Sequence, residues 1–249
     1  MKSYLLLTVA ALSVAALAGS PNGVYAKTTK AHAQSATGKL IAYWKFDEGA
    51  GRTARDSAGK NEAALSSGVA WAPGIINGAV HLDGGPNAYV TVPAGIVSTL
   101  SDFTISTWVK VDINAGWNRV FDFGTGTNAY MFLSPDSGSN TVRYAITTTS
   151  HPGEQTIDSS APLTVGIWHF VAVTLSGSTG TLYIDGMEVG QNTNMSLRPL
   201  DLGRTTLDYI GKSQWQPDPT LLGSVDDFRI YSRALSPPEI NGLAHLAGN

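Results

Sequence analysis

Residues 168–190, WHFVAVTLSGSTGTLYIDGMEVG, decide the fold. From Trp168 to Leu175, and again from Thr181 to Asp185, apolar residues alternate with small or polar ones, the period of a strand with one buried face. Ser176 to Gly180 between them is a turn by composition. Asp185-Gly186 then separates Thr181–Ile184 from Met187–Val189, and an Asp-Gly step accepts the positive φ angles that a two-residue hairpin turn needs. Antiparallel strands follow.

The same pattern extends outward on both sides. Ala79–Leu82, Tyr89–Val92, Phe103–Val111, Arg119–Phe123, Thr141–Thr147 and Ser224–Tyr231 read as strands, with turn clusters at Asp83-Gly84-Gly85 and Ser134–Gly138. One helix is expected, and it comes last. Ser236 is its N-cap, Pro237-Pro238 open the first turn, Glu239 sits at N3, and Ile240, Leu243 and Leu246 supply the apolar side. About a dozen strands without the spacing of βαβ units predict an all-β protein of two packed antiparallel sheets.

Composition narrows the function classes. The chain has 249 residues, 43% of them hydrophobic, enough for one sizeable core. Its formal net charge of −3 offers no basic surface to nucleic acid or an anionic membrane. No cysteine is present, which excludes disulfides, thiolate catalysis and Cys-ligated zinc. Near the amino terminus, Lys2 precedes an apolar run from Leu5 to Ala18 that ends at Gly19-Ser20-Pro21, the layout of a secretory signal. The run falls short of the ~20 residues a spanning helix needs. The expected organisation is a signal peptide over 1–26 (or 1–33), a flexible leader to residue 38, and one domain over 39–247. The mature protein is expected outside the cell or in a periplasm, with no membrane partner.

Four stretches together resemble one family. They are YWKFDEGAGRTARDSAGKNEAAL (43–65), FTISTWVKV (103–111), the 168–190 hairpin, and YIGKSQWQPDPTLLGSVDDFRIYSRALSPPEI (209–240). They are similar to the laminin-G-like, concanavalin A-like jelly-roll domains. The resemblance implies a two-sheet jelly-roll sandwich with its first and last strands side by side and a short closing helix. It implies function poorly, because such domains bind glycans, bind proteins or act on polysaccharide.

Three sets of side chains are candidates for chemistry. Asp226 shares strand parity with Phe228 and Ile230, so it is expected to point with apolar side chains, where a carboxylate must be paired or bound. Asp56 and Asn61, with Asp47 as a weaker ligand, could join it around a structural Ca²⁺, which takes 6–8 oxygen ligands; many members of the family hold one there. The alternative is that these carboxylates accept backbone N–H bonds. Among six tryptophans, Trp44, Trp108 and Trp168 lie in alternating strands and read as core, whereas Trp117 and Trp215 lie in polar loops. Exposed rings stack on the C–H faces of sugars, so Trp117 with Asn118 and Arg119, and Trp215, are the expected glycan contacts; Tyr144 and Tyr130 could extend them. Trp215 reads equally well as a structural plug.

Catalysis finds less support. No Glu-x-Asp-x-Glu run exists, and the adjacent Asp226 and Asp227 cannot supply the paired carboxylates that glycosidases use. A Gly-x-Ser-x-Gly elbow is missing too. The expected function is a secreted, non-catalytic carbohydrate-binding module with a polysaccharide or glycan partner and a structural calcium. Two alternatives stay open: a polysaccharide-degrading hydrolase or lyase, and a protein-binding adhesion module.

Overall fold

The computed structural model describes residues 39–246; the expected signal peptide and leader lie outside the described residues. In chain order the strands are β1 (Leu40–Trp44), β2 (Thr53–Ala54), β3 (Ala63–Leu65), β4 (Val69–Pro73), β5 (Gly78–Asp83), β6 (Val90–Thr91), β7 (Phe103–Val111) and β8 (Phe121–Gly124). They continue with β9 (Tyr130–Ser134), β10 (Arg143–Thr147), β11 (Gln155–Asp158), β12 (Trp168–Ser176), β13 (Thr179–Ile184), β14 (Met187–Asn192), β15 (Leu207–Ile210) and β16 (Leu222–Tyr231). Helix α1 (Pro237–Ala244) follows. Two eight-stranded antiparallel sheets result. The first has the order β14-β13-β12-β7-β16-β5-β4 with β1 also on β16, and the second the order β11-β10-β9-β8-β15-β6-β3-β2.

The deciding stretch folds as its pattern dictates. β12 and β13 pair from Val171↔Ile184 to Ser176↔Thr179, and Asp185 and Gly186 turn into β14 with φ of 52° and 81°. Phe103, Ile105, Val109 and Val111 of β7 share the inner face with Val171, Val173 and Leu175 of β12. Against them, from the second sheet, pack Phe121, Phe123, Leu133, Tyr144 and Ile146. Phe228 is central: its ring lies 5.8 Å from Trp44, 6.0 Å from Phe121 and 6.3 Å from Phe123, centroid to centroid. Burying side chains of this size stabilises the fold by roughly 1.5–3 kcal/mol each.

A smaller cluster covers the outer face of the first sheet. Trp108, Phe170, Ala172 and Tyr183 are closed over by Leu235 and by Ile240 and Ala244 of α1. The helix begins as its sequence signals: Glu239 accepts the Ser236 N–H at 2.9 Å and the Ser236 hydroxyl at 2.8 Å. Trp44 and Trp108 are buried as expected, whereas Trp168 is half-exposed beneath Lys110.

The last strand departs from simple alternation. β16 runs beside β7 along one edge, while its other edge pairs first with β5 and then with β1. Between the two halves the register shifts from Asp226↔Trp108 to Arg229↔Ser106, and Asp227 holds a left-handed φ of 58°. This extra residue is a bulge, which resets the inward and outward alternation. Val225, Phe228 and Ile230 all join the inner core. Asp226 therefore faces outward beside Trp108, a correction to the parity that grouped it with Phe228 and Ile230.

Candidate functional site on the outer face of the second sheet

Two loops about a hundred residues apart meet over the outer face of the second sheet. Trp117 precedes β8, and Trp215 lies between β15 and β16. Together with Arg119, Tyr130, His151, Glu154 and Asp218 they line a pocket of about 280 Å³. The sheet beneath supplies an aromatic floor. Met131 and Leu133 of β9 point into the main core, so Tyr130 and Phe132 point the other way, and their rings stack at 5.9 Å with Trp117 packed against them.

Arg119 is the fixed centre of this face, and only 2% of it is exposed. Its guanidinium lies 4.0 Å from the Phe132 ring centroid and 5.8 Å from that of Trp117. It donates to the Trp117 carbonyl, and to Asp218 Oδ2 at 2.9 Å, and lies 3.4 Å from Asp122 Oδ2. Asp122 is buried, so its carboxyl is pushed up to about 7 although Arg119 opposes the shift. Asp218 also accepts the Ser213 hydroxyl at 2.7 Å, which pins the loop that carries Trp215.

On the other side, the Tyr130 hydroxyl donates to Glu154 Oε1 at 2.7 Å and is approached by the Trp215 side chain. Burial and Glu154 hold that phenol far above its usual range, so it stays a donor. Glu154 Oε2 is buried without a hydrogen-bond partner among the described residues; the exposed His151 stands 3.4 Å away. The pocket is thus lined by two indoles and several polar groups. Aromatic platforms with a few fixed polar groups suit a ligand that is apolar on one face and hydroxylated at its edge.

Backbone strain marks the same place. Trp117 has φ of 70°, rare for a bulky residue, and its indole lies against the α-carbon of Gly138. Two expected contacts are corrected. Tyr144 is 1% exposed and lies between the sheets, 6.1 Å from Phe103, because its strand parity is that of the core residue Ile146. Asn118 is completely buried and takes no part in lining the pocket. Glu154, Asp218, Asp122 and His151 were not among the expected contacts. Glu154, Asp218 and His151 lie in segments beside turn residues, and Asp122 lies in β8.

The expected calcium ligands divide into two groups. Asp56 accepts four N–H bonds: Tyr43 N at 2.9 Å and Ala58 N at 2.8 Å on Oδ1, and Asn61 N at 3.0 Å and Asn61 Nδ2 at 2.9 Å on Oδ2. Those bonds hold its carboxyl below the usual range. Asn61 Nδ2 also donates to the Ile41 carbonyl at 2.9 Å. This pair closes its loop on β1, the hydrogen-bonding alternative, and is corrected from the ligand set.

Asp226 and Asp47 are less fully bonded: Asp47 Oδ1 accepts the Gly78 N–H at 2.8 Å. Asp226 is fully buried; Oδ2 accepts the Ile76 N–H at 2.9 Å, while Oδ1 has no partner among the described residues. Burial raises its carboxyl to about 7, and Asp227 and Asp47 push the same way. Glycines allow the close approach. A Cβ on Gly74 would lie 2.2 Å from the Gly78 carbonyl oxygen and 2.6 Å from Asp226 Oδ2, and one on Gly78 would lie 2.6 Å from the Phe46 carbonyl oxygen. No group of three acidic or histidine side chains gathers among the described residues, so these two carboxylates and nearby carbonyls are the donors available. Carboxylates and backbone carbonyls are the hard-oxygen class of donor that Ca²⁺ takes.

A family model described as the concanavalin A-like lectin/glucanases superfamily matches residues 83–241. The rat (Rattus norvegicus) sushi, von Willebrand factor type A, EGF and pentraxin domain-containing protein 1 is 24% identical over 158 residues, 60% of this chain but 4% of its own length. Among solved structures, domain 4 of AbnA, an extracellular arabinanase of Geobacillus stearothermophilus, in complex with arabinotriose, superposes with a TM-score of 0.70. It is 23% identical over 83% of this chain and 98% of that domain. The CBM40 of Ruminococcus gnavus IT-sialidase, bound to α2,3-sialyllactose, gives a TM-score of 0.53 at 16% identity, over 59% of this chain and 84% of that one. At such identities the likeness establishes the fold.

Proposed function

The chain belongs to the concanavalin A-like lectin/glucanases superfamily, and within that fold we propose that it binds carbohydrate in the pocket between Trp117 and Trp215. One observation carries this reading: tryptophans from two distant polar loops converge on one pocket, around a rigid Arg119–Phe132–Tyr130 floor. A sugar ring would stack on an indole through its C–H face, while Glu154, Asp218 and the Tyr130 hydroxyl meet its hydroxyls. Polar contacts exchanged for water, over little buried area, give modest affinity, about 10–1000 μM. Glycan-bound relatives of the same fold support the reading.

Native electrophoresis through gels containing soluble polysaccharides tests it. Migration is retarded without shortening of the polysaccharide chains, and Trp117→Ala and Trp215→Ala each relieve the retardation while the melting temperature stays near that of the parent. Unchanged retardation in both variants removes the site; shortened chains make the protein an enzyme.

A structural Ca²⁺ is proposed as well, held by Asp226 and Asp47 with backbone carbonyls around Gly78. Its charge would offset two crowded carboxylates and clamp β16 to the turn after β4. Export, read from residues 1–26, is part of the same proposal and fits an extracellular glycan partner.

A further inference from the structure

Resting on the carbohydrate reading above, we infer that the Trp117–Trp215 pocket selects neutral glycans and rejects those bearing carboxylate or sulfate groups. An acidic sugar is recognised by cations with free donors, above all an arginine fork open to bidentate pairing. Arg119 is not open. Its side chain is only 3% exposed: Nη2 donates to Asp218 at 2.9 Å, Nη1 donates to the Trp117 carbonyl, Nε faces Asp122 at 3.4 Å, and Phe132 lies beneath the guanidinium. Arg143 also approaches the Trp117 ring, at 5.7 Å, but it is paired with Asp158 through two bonds of 2.8 and 3.2 Å.

Two carboxylates also line the pocket. Glu154 lines the pocket with a side chain only 6% exposed, and its Oε2 is buried without a hydrogen-bond partner among the described residues. It can take a bond from a ligand hydroxyl and repels a ligand anion. Asp218, paired with Arg119, adds a second carboxylate to the lining. The single nearby histidine, His151, stands at the rim with its Nδ1 turned to Glu154. Carboxylates outnumber the available cations, so an entering anion would lose its water for no compensating charge.

The test compares neutral probes (linear arabinan and mixed-linkage β-glucan) with acidic ones (polygalacturonate and alginate). Affinity gels and titration calorimetry are run on the parent, Trp117→Ala and Glu154→Gln at moderate salt. The expected result is binding of a neutral probe at least about tenfold tighter than any acidic one, lost in Trp117→Ala. In Glu154→Gln the discrimination narrows, because one repelling charge is gone. Equal or tighter binding of an acidic probe that Trp117→Ala abolishes overturns the selectivity and leaves the site standing. Absence of binding to every probe overturns the site and the selectivity together.

Discussion

The indole of Trp117 rests on the bare α-carbon of Gly138: a Cβ placed there would come within 2.6 Å of the indole Nε1. Both residues hold positive φ angles, 70° and 71°. A glycine in one loop thus fixes the angle at which an aromatic platform in another is presented.

Gly138→Ala should therefore disable Trp117 without touching it. The added methyl must push the indole aside, and the backbone disfavours a side chain at this φ. Glycan retention is expected to fall toward that of Trp117→Ala, with a stability loss of about 1 kcal/mol. Affinity electrophoresis together with a denaturant titration separates the two effects. Full retention would mean that the ring's placement is irrelevant to binding.

Tyr130→Phe probes the pocket floor. The change removes the hydroxyl that donates to Glu154 at 2.7 Å and leaves a nearly buried carboxylate short of a donor. Weaker glycan binding is expected, with a loss of about 1–3 kcal/mol in stability, both measurable on one purified variant.

Acid should stabilise the calcium-free protein before it destabilises it. Asp226 and Asp122 titrate near 7 and Asp208 near 6 because burial disfavours their charged forms. Unfolded, they would titrate near 3.9. The native state therefore holds more protons between about pH 4 and 7, so stability falls as pH rises through that window. Melting in EDTA should occur higher at pH 5 than at pH 7.5. Added millimolar Ca²⁺ should raise melting at pH 7.5 and flatten this slope, because a bound cation favours the carboxylate of Asp226. Asp226→Asn should abolish the calcium response. A response that survives in that variant would place the ion elsewhere.

The bulge carries a buried network that should tolerate removal of both charges better than removal of one. Asp227 pairs with Arg229 at 2.6 Å, and the Tyr43 hydroxyl bonds to both, with Arg229 Nη2 at 2.8 Å. Arg229→Met leaves Asp227 uncompensated and should destabilise by about 3–5 kcal/mol. Adding Asp227→Asn, which keeps a side chain tolerant of φ near 58°, should recover much of that loss. Denaturant midpoints of the single and double variants provide the check.

The strands and the helix were legible because their signals are local. Asp185-Gly186 dictates its turn, and Ser236 with Glu239 dictates the helix start, whatever packs against them. Tyr144 was misplaced although Ile146, two residues on, carries the inward parity that could have placed it. The β9 run Tyr130–Ser134 is apolar on both faces and so hides its orientation, since its outer face is buried by Arg119 and Trp117. Asp226 was misassigned in direction because one extra residue, Asp227, breaks the alternation, and no residue pattern announces it. The two loop tryptophans stood out from their polar surroundings, whereas Glu154 and Asp218 join them only through strand order, which sequence does not display.

Because β16 lies between β7 on one edge and β5 and β1 on the other, the first sheet remains three separate pieces (β14-β13-β12-β7, β5-β4 and β1) until residues 222–231 arrive. During synthesis these pieces carry raw hydrogen-bonding edges, the kind that recruit strands from other chains. Three strand pairings, those of β16 with β7, β5 and β1, are thus deferred to one late event, a topology that slows folding and has reason to need shielding on the way.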